Sequence, residues 1–190
     1  MSHDTEILSY AGDYVDLCEP KPQHLKIEVF AHALSNLCRF NGHCRTFYSV
    51  ARHSILVSHI VEQDLGMPGY ALEGLMHDAS EAFLGDVTTL LKPLLPTYKP
   101  IERNFARAIR DTFGLAHVPE ILKKADLRAL KSERAALLPP TTRDWVVLRG
   151  VPPASADSES RINLYGMMNG PERDKLDFLE RYNEIMEKRK

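Results

Sequence analysis

The stretch "MHDASEAFLGD" at 76–86 sets His77, Asp78, Glu81 and Asp86 among residues that are otherwise apolar or small. Neighbouring side chains on a helix point about 100° apart, so His77 and Asp78 cannot form an i,i+4 pair. Both can still touch one ion if further ligands arrive from other helices. Two residues elsewhere have that character. His53 in "SVARHSILVS" stands alone beside an apolar run, and Asp126 in "KKADLRAL" is an acid among helix formers. A His, His-Asp, Asp set over three helices offers mixed nitrogen and oxygen ligation, which suits a first-row divalent ion better than calcium. The plain alternative is that "HD" is a common dipeptide and a lone core histidine is usually a hydrogen-bonded packing residue.

The elements that must position these residues read mostly as helix. A short hairpin is expected at 7–17, where β-rich residues flank a Gly-Asp turn signal. Helical spacing then runs over 27–40, 48–65 and 69–84, the last carrying Leu72, Leu75, Met76, Ala79, Ala82 and Phe83 at core positions. Segment 99–114 has Pro100 near its start and Gly114 at its end. Segment 118–138 starts with Pro119 and stops before Pro139-Pro140, so both are expected helices. From 139 to 170 the chain is rich in Pro, Ser and Asp and reads as a long loop. A final helix follows from Pro171. The expectation is an all-α helical bundle with a small N-terminal β-hairpin, one domain over 1–190.

Taken together, His53, His77-Asp78 and Asp126, in this order on successive helices, resemble the HD-domain phosphohydrolase superfamily, and "HDASEAFLGD" is similar to its small deoxynucleotidase branch. That branch has an arginine and an aromatic residue upstream of the first histidine, matched by Arg39-Phe40 in "CRFNGH". It also carries a glutamate and an aspartate after the HD pair, matched by Glu81 and Asp86, and lysines matched by Lys92 and Lys123. "RFNGHCRTFYSVARHS" further resembles small phage dATP triphosphohydrolases. Phe40 departs from the deoxynucleotidases, which usually place tryptophan there; a smaller ring alters stacking area and pocket width, so the resemblance does not carry base or sugar selection over to this chain.

The resemblance implies an HD-type fold and a metal held by His53, His77, Asp78 and Asp126, with Glu81 and Asp86 as catalytic acids and Arg39, Phe40, Lys92 and Lys123 on the substrate. A divalent ion lowers the pKa of its water and shields phosphate oxygens, which is what a phosphate ester needs near neutral pH. Zinc, cobalt, manganese or iron fits the ligand set, and magnesium can accompany a triphosphate tail. On a continuous helix Glu81 shares the His77 face and can orient its imidazole. Asp86, after Gly85, has a turn or cap as its alternative role.

The leading expectation is a dNTP triphosphohydrolase, with Lys92, Lys99, Arg103, Lys123 and Lys124 offering charge for the tail. A 5′-deoxynucleotidase is the alternative, and a nucleotide-sensing module without turnover the third. Composition bounds the partners. With 44% hydrophobic and 26% charged residues, the 190-residue chain can bury a core. A net charge of −2 and a pI near 6.4 leave no electrostatic footprint for nucleic acid or an anionic membrane, so a phosphate-bearing ligand must be met by a local cluster, and the small-molecule deoxynucleotide substrate is what the resemblance implies. No run of about 18 apolar residues exists to span a bilayer, and the first residues lack the regions of a signal peptide, so a cytoplasmic protein is expected. Cys18, Cys38 and Cys44 show no CxxC spacing and read as reduced thiols. By resemblance a homo-oligomer, dimer or hexamer, is expected.

Overall fold

In the computed structural model, residues 5–162 and 170–189 are described. Strands β1 (Glu6–Leu8) and β2 (Tyr14–Asp16) form the expected antiparallel hairpin, with Ile7 opposite Val15 and Leu8 opposite Tyr14. Val15 is buried and seats the hairpin on the core. Helices then follow as α1 (Ile27–Asn36), α2 (Val50–His59), α3 (Ala71–Met76), α4 (Glu81–Leu84), α5 (Tyr98–Phe113), α6 (Pro119–Leu137), α7 (Ala156–Arg161) and α8 (Pro171–Lys188). A mostly helical chain with one hairpin is therefore the observed architecture.

Helix α2 is the axis of the bundle: every residue from Val50 to His59 is buried. Ser49 starts it, its hydroxyl accepting the Arg52 N–H at 3.1 Å. Around it pack α1, α3, α6, α7 and α8. Two neighbours approach closely because they present small residues. On α3, Gly74 lies so near α2 that a Cβ there would meet Ser58 Cα at 3.0 Å. On α6 the buried face includes Ala125, Ala129 and Ser132. A single cluster of buried residues draws on α1 to α6 and α8, and Phe30, Phe83 and Phe105 stack or edge within it at 5.3 to 5.9 Å between centroids.

Four expectations need correction. The helix expected over 69–84 is broken: α3 stops at Met76, residues 77–80 are turns, and α4 resumes at Glu81. The helix expected over 27–40 stops at Asn36, and Phe40 and Asn41 take left-handed conformations at φ 54° and 51°. The helix over 48–65 is α-helical only to His59; its end widens into a π turn, with the Leu65 N–H reaching the Ile60 carbonyl at 2.9 Å. The 139–170 segment is no plain loop, because α7 lies inside it, started by Ser155 accepting from the Ser158 N–H. Its 163–169 part lies outside the described residues.

Candidate metal centre

His53 sits in the middle of α2, wholly buried. Its Nδ1 is 2.7 Å from Glu133 Oε1, so the ring N–H donates to that carboxylate and Nε2 is left to face Asp126 and the end of α3. His77 caps the end of α3, where its Nδ1 donates to the Gly74 carbonyl at 2.8 Å and its Nε2 is likewise left to point outward. The two Nε2 atoms face each other at 3.2 Å. Asp126 Oδ1 lies 3.2 Å from His53 Nε2, and Asp78 Oδ2 lies 3.1 Å from His77 Nε2 and 3.5 Å from His53 Nε2.

These spacings are those of donors sharing one ion. Bonds of about 2.1 Å put neighbouring ligand atoms about 3.0 Å apart at right angles and about 3.4 Å apart in a tetrahedron. His53, His77 and Asp126 are close enough together to hold an ion, and Asp78 stands at the same spacing beside both imidazoles. The donor set also fits a metal chemically, since each imidazole is fixed through its far nitrogen, the usual support of a metal-bound histidine. Access is from the carboxylate side: the Asp126 and Asp78 side chains are 42% and 23% exposed, whereas His53 is sealed.

The break at 77–80 is what makes the adjacent pair converge. On a continuous helix His77 and Asp78 would diverge; in the turn their donors meet. The His77 ring nitrogens meet Gly74, His53 and Asp78, and Glu81 is not among their hydrogen-bond partners. Its expected role in orienting that imidazole is taken by the Gly74 carbonyl.

Glu81 instead opens α4 as a buried carboxyl whose Oε2 has no hydrogen-bond partner. Burial, then the charges of Asp78 and Asp86, push it up to about 10, so it holds a proton at neutral pH. Asp86, after Gly85 at φ 77°, is less buried, and burial raises it too against the pull of Arg39. Asp78 is the opposite case. Burial works against its charge, but His77, His53 and Arg39 hold it far below the usual carboxylate range.

Arg39 closes the centre on the side of the turn after α1. Its guanidinium bridges Glu133 at 3.1 Å and Asp78 at 3.9 Å and lies 5.4 Å from the Phe40 ring centroid. Sequence reading missed Glu133. It is fully buried and seven residues after Asp126, on the same face of α6, a spacing that marks it as a partner for whatever Asp126 faces. Burial opposes its ionisation, yet Arg39 and His53 pull its pKa down to about 2.

The lysines are less engaged. Lys92 Nζ is 2.6 Å from Glu102 and 5.6 Å from the centroid of Tyr98, although Glu81 still feels its charge. Lys123 is exposed, one turn before Asp126.

No protein-family model matches the sequence. Over 188 residues the chain is 36% identical to uncharacterized protein YfdR of Escherichia coli strain K12, covering 97% of each chain. The chain belongs to the YfdR family. An uncharacterized protein of Rhodobacter capsulatus is 34% identical over 129 residues, 64% of this chain and 63% of the relative. Among the described residues of this YfdR-family chain, no helix is long and apolar enough to cross a membrane.

Proposed function

We propose that this YfdR-family chain is an HD-type phosphohydrolase that uses a divalent metal to release deoxynucleoside and inorganic triphosphate from dNTPs. What carries the reading is the meeting of His53 Nε2, His77 Nε2, Asp78 and Asp126 at 3.1 to 3.5 Å, with both far ring nitrogens already held. When bound, the ion supplies charge for the α-phosphate and a water acidic enough to attack it near neutral pH. Zinc, cobalt or manganese suits the mixed donors, with magnesium a companion of the phosphate tail.

The chain's own groups do the remaining work. Arg39 presents its fork beside Asp78, where an α-phosphate oxygen would lie, and a guanidinium matches two such oxygens at once. Glu81, protonated and unpartnered, donates to the departing 5′-oxygen. Asp86 receives the proton of the attacking water. Phe40, held beneath Arg39, flanks the sugar or base. Lys92 and Lys123 meet the tail. The same reading carries a cytoplasmic homo-oligomer, dimer or hexamer, whose mass light scattering would give.

A second reading, a 5′-deoxynucleotidase, draws support from one observation: the Lys92 charge is already paired with Glu102 at 2.6 Å, leaving less for a triphosphate tail. The test is to incubate the purified chain with each dNTP and dNMP plus zinc, cobalt, manganese or magnesium, and to identify the products. Inorganic triphosphate is expected. Turnover of dNMPs alone would hand the site to the second reading, and tight nucleotide binding without any product would make it a sensing module.

A further inference from the structure

Two thiols bracket the turn that carries Arg39 and Phe40. At its start, Cys38 bridges Ser49 and the Arg39 N–H reaches the Tyr48 carbonyl at 2.9 Å, so this end is fixed to the strand-like entry of α2. The turn then doubles back through three successive left-handed residues, Phe40, Asn41 and Gly42, at φ 54°, 51° and 80°. The His43 N–H closes it on the Phe40 carbonyl at 3.0 Å, and the Cys44 thiol donates to the Arg39 carbonyl at 3.4 Å. The Cys44 sulfur thus lies against the residue that follows Cys38. Both thiols are free and only half-buried. After burial, the neighbouring Cys38 thiol is what raises the Cys44 thiol, which reaches about 12.

We propose that Cys38 and Cys44 form a reversible disulfide that closes the Arg39–Phe40 turn into a covalent ring, with glutathione disulfide as oxidant. The step balances. The Cys38 thiolate attacks glutathione disulfide, forming a mixed disulfide and releasing one glutathione thiolate. Cys44 then loses its proton to solvent and displaces the second glutathione, so two electrons and two protons leave the protein and two glutathione thiols result. Because Cys44 holds its proton tightly, this closing step quickens as pH rises. Cys18 is exposed, on the segment after the hairpin, and takes no part. The ring contains none of the four metal donors but contains Arg39, so oxidation acts on the arginine that faces Asp78 and leaves the donors in place.

The inference goes beyond the phosphohydrolase reading and does not rest on it, since the thiols are read directly. In the full-length Cys18→Ser chain, trypsin cuts after Lys26, Arg39 and Arg45 and so separates the two cysteines into peptides 27–39 and 40–45. After treatment with glutathione disulfide, these peptides should remain joined as one species two hydrogens lighter than their sum, and a reductant should part them. Peptides that carry one glutathione each, or that both stay open to alkylation, would overturn the proposal. Cobalt should bind the oxidised and reduced chains with the same stoichiometry. Binding lost on oxidation would mean that the bond forms only by displacing the metal centre, and a closure built into this turn would fall with it.

Discussion

At the scale of single residues, the proposed centre depends on groups outside the donor set as much as on the donors themselves. Glu133 is the clearest case. Replacing it by glutamine keeps the volume but removes the charge that fixes His53, and losses of this kind weaken metal binding by about 10- to 100-fold. Competition with a coloured chelator would read that loss, and an unchanged affinity in Glu133→Gln would return the residue to a packing role. Glu81→Gln should behave differently. No side-chain hydrogen bond ties it to a donor, so metal content should hold while turnover falls by about 100-fold or more, the usual worth of a placed proton donor; near-normal rates would dismiss it as the acid. His77→Ala should lose metal and turnover together. The four proposed donors were legible because histidine and aspartate are conspicuous in apolar helices. Glu133 was not, because "KSERAALL" reads as an ordinary charged helix and only the three-dimensional meeting of α2 and α6 shows which acid is buried.

At the scale of elements, the distance between His53 and His77 is set by how closely α3 approaches α2. Gly74 permits that approach and its carbonyl also holds His77. A methyl group there meets α2 backbone at 3.0 to 3.2 Å, so Gly74→Ala should lower stability by about 1 to 3 kcal/mol. It should also part the two imidazoles, and urea midpoints beside cobalt titration would show both effects; a stable variant with intact metal binding would refute the coupling. The long helices α5, α6 and α8 were legible from proline at their starts and apolar periodicity along them. The break at 77–80 was not, because Ala79 and Ala82 continue the helical pattern through it and no proline or glycine marks it. Helix α7 was hidden by its polar composition, although Ser155 with Asp157 and Glu159 behind it is a legitimate helix start.

At the scale of the whole molecule, α8 is fastened to α2 by buried ions. Asp174, fully buried, accepts from the Ser49 hydroxyl at 2.5 Å and from Arg52 Nε at 2.7 Å. Removing one member of such a pair strands the other charge, so Arg52→Ala should cost about 3 to 5 kcal/mol in chemical denaturation. Further along α2, His59 is buried among Arg161, Arg181, Lys188 and Glu62. Burial first and the cations second hold its pKa down to about 3. The unfolded chain then takes up a proton that the folded chain refuses, so this residue's contribution is complete above about pH 6.5 and is lost as pH falls from there toward 3. Each unit in that window costs about 1.4 kcal/mol. A His59→Gln chain should therefore lose less stability than wild type between pH 7 and pH 5, and parallel losses would disprove the assignment.

Glu133 has one more consequence, because a single carboxylate serves two masters. One of its oxygens holds His53 and the other holds Arg39. A phosphate that draws Arg39 toward itself leaves the whole negative charge of Glu133 to the imidazole, making His53 a stronger donor. The two ligands are then thermodynamically linked: whatever factor pyrophosphate adds to the affinity for cobalt, cobalt must add to the affinity for pyrophosphate. In Glu133→Gln that reciprocal factor should shrink toward one.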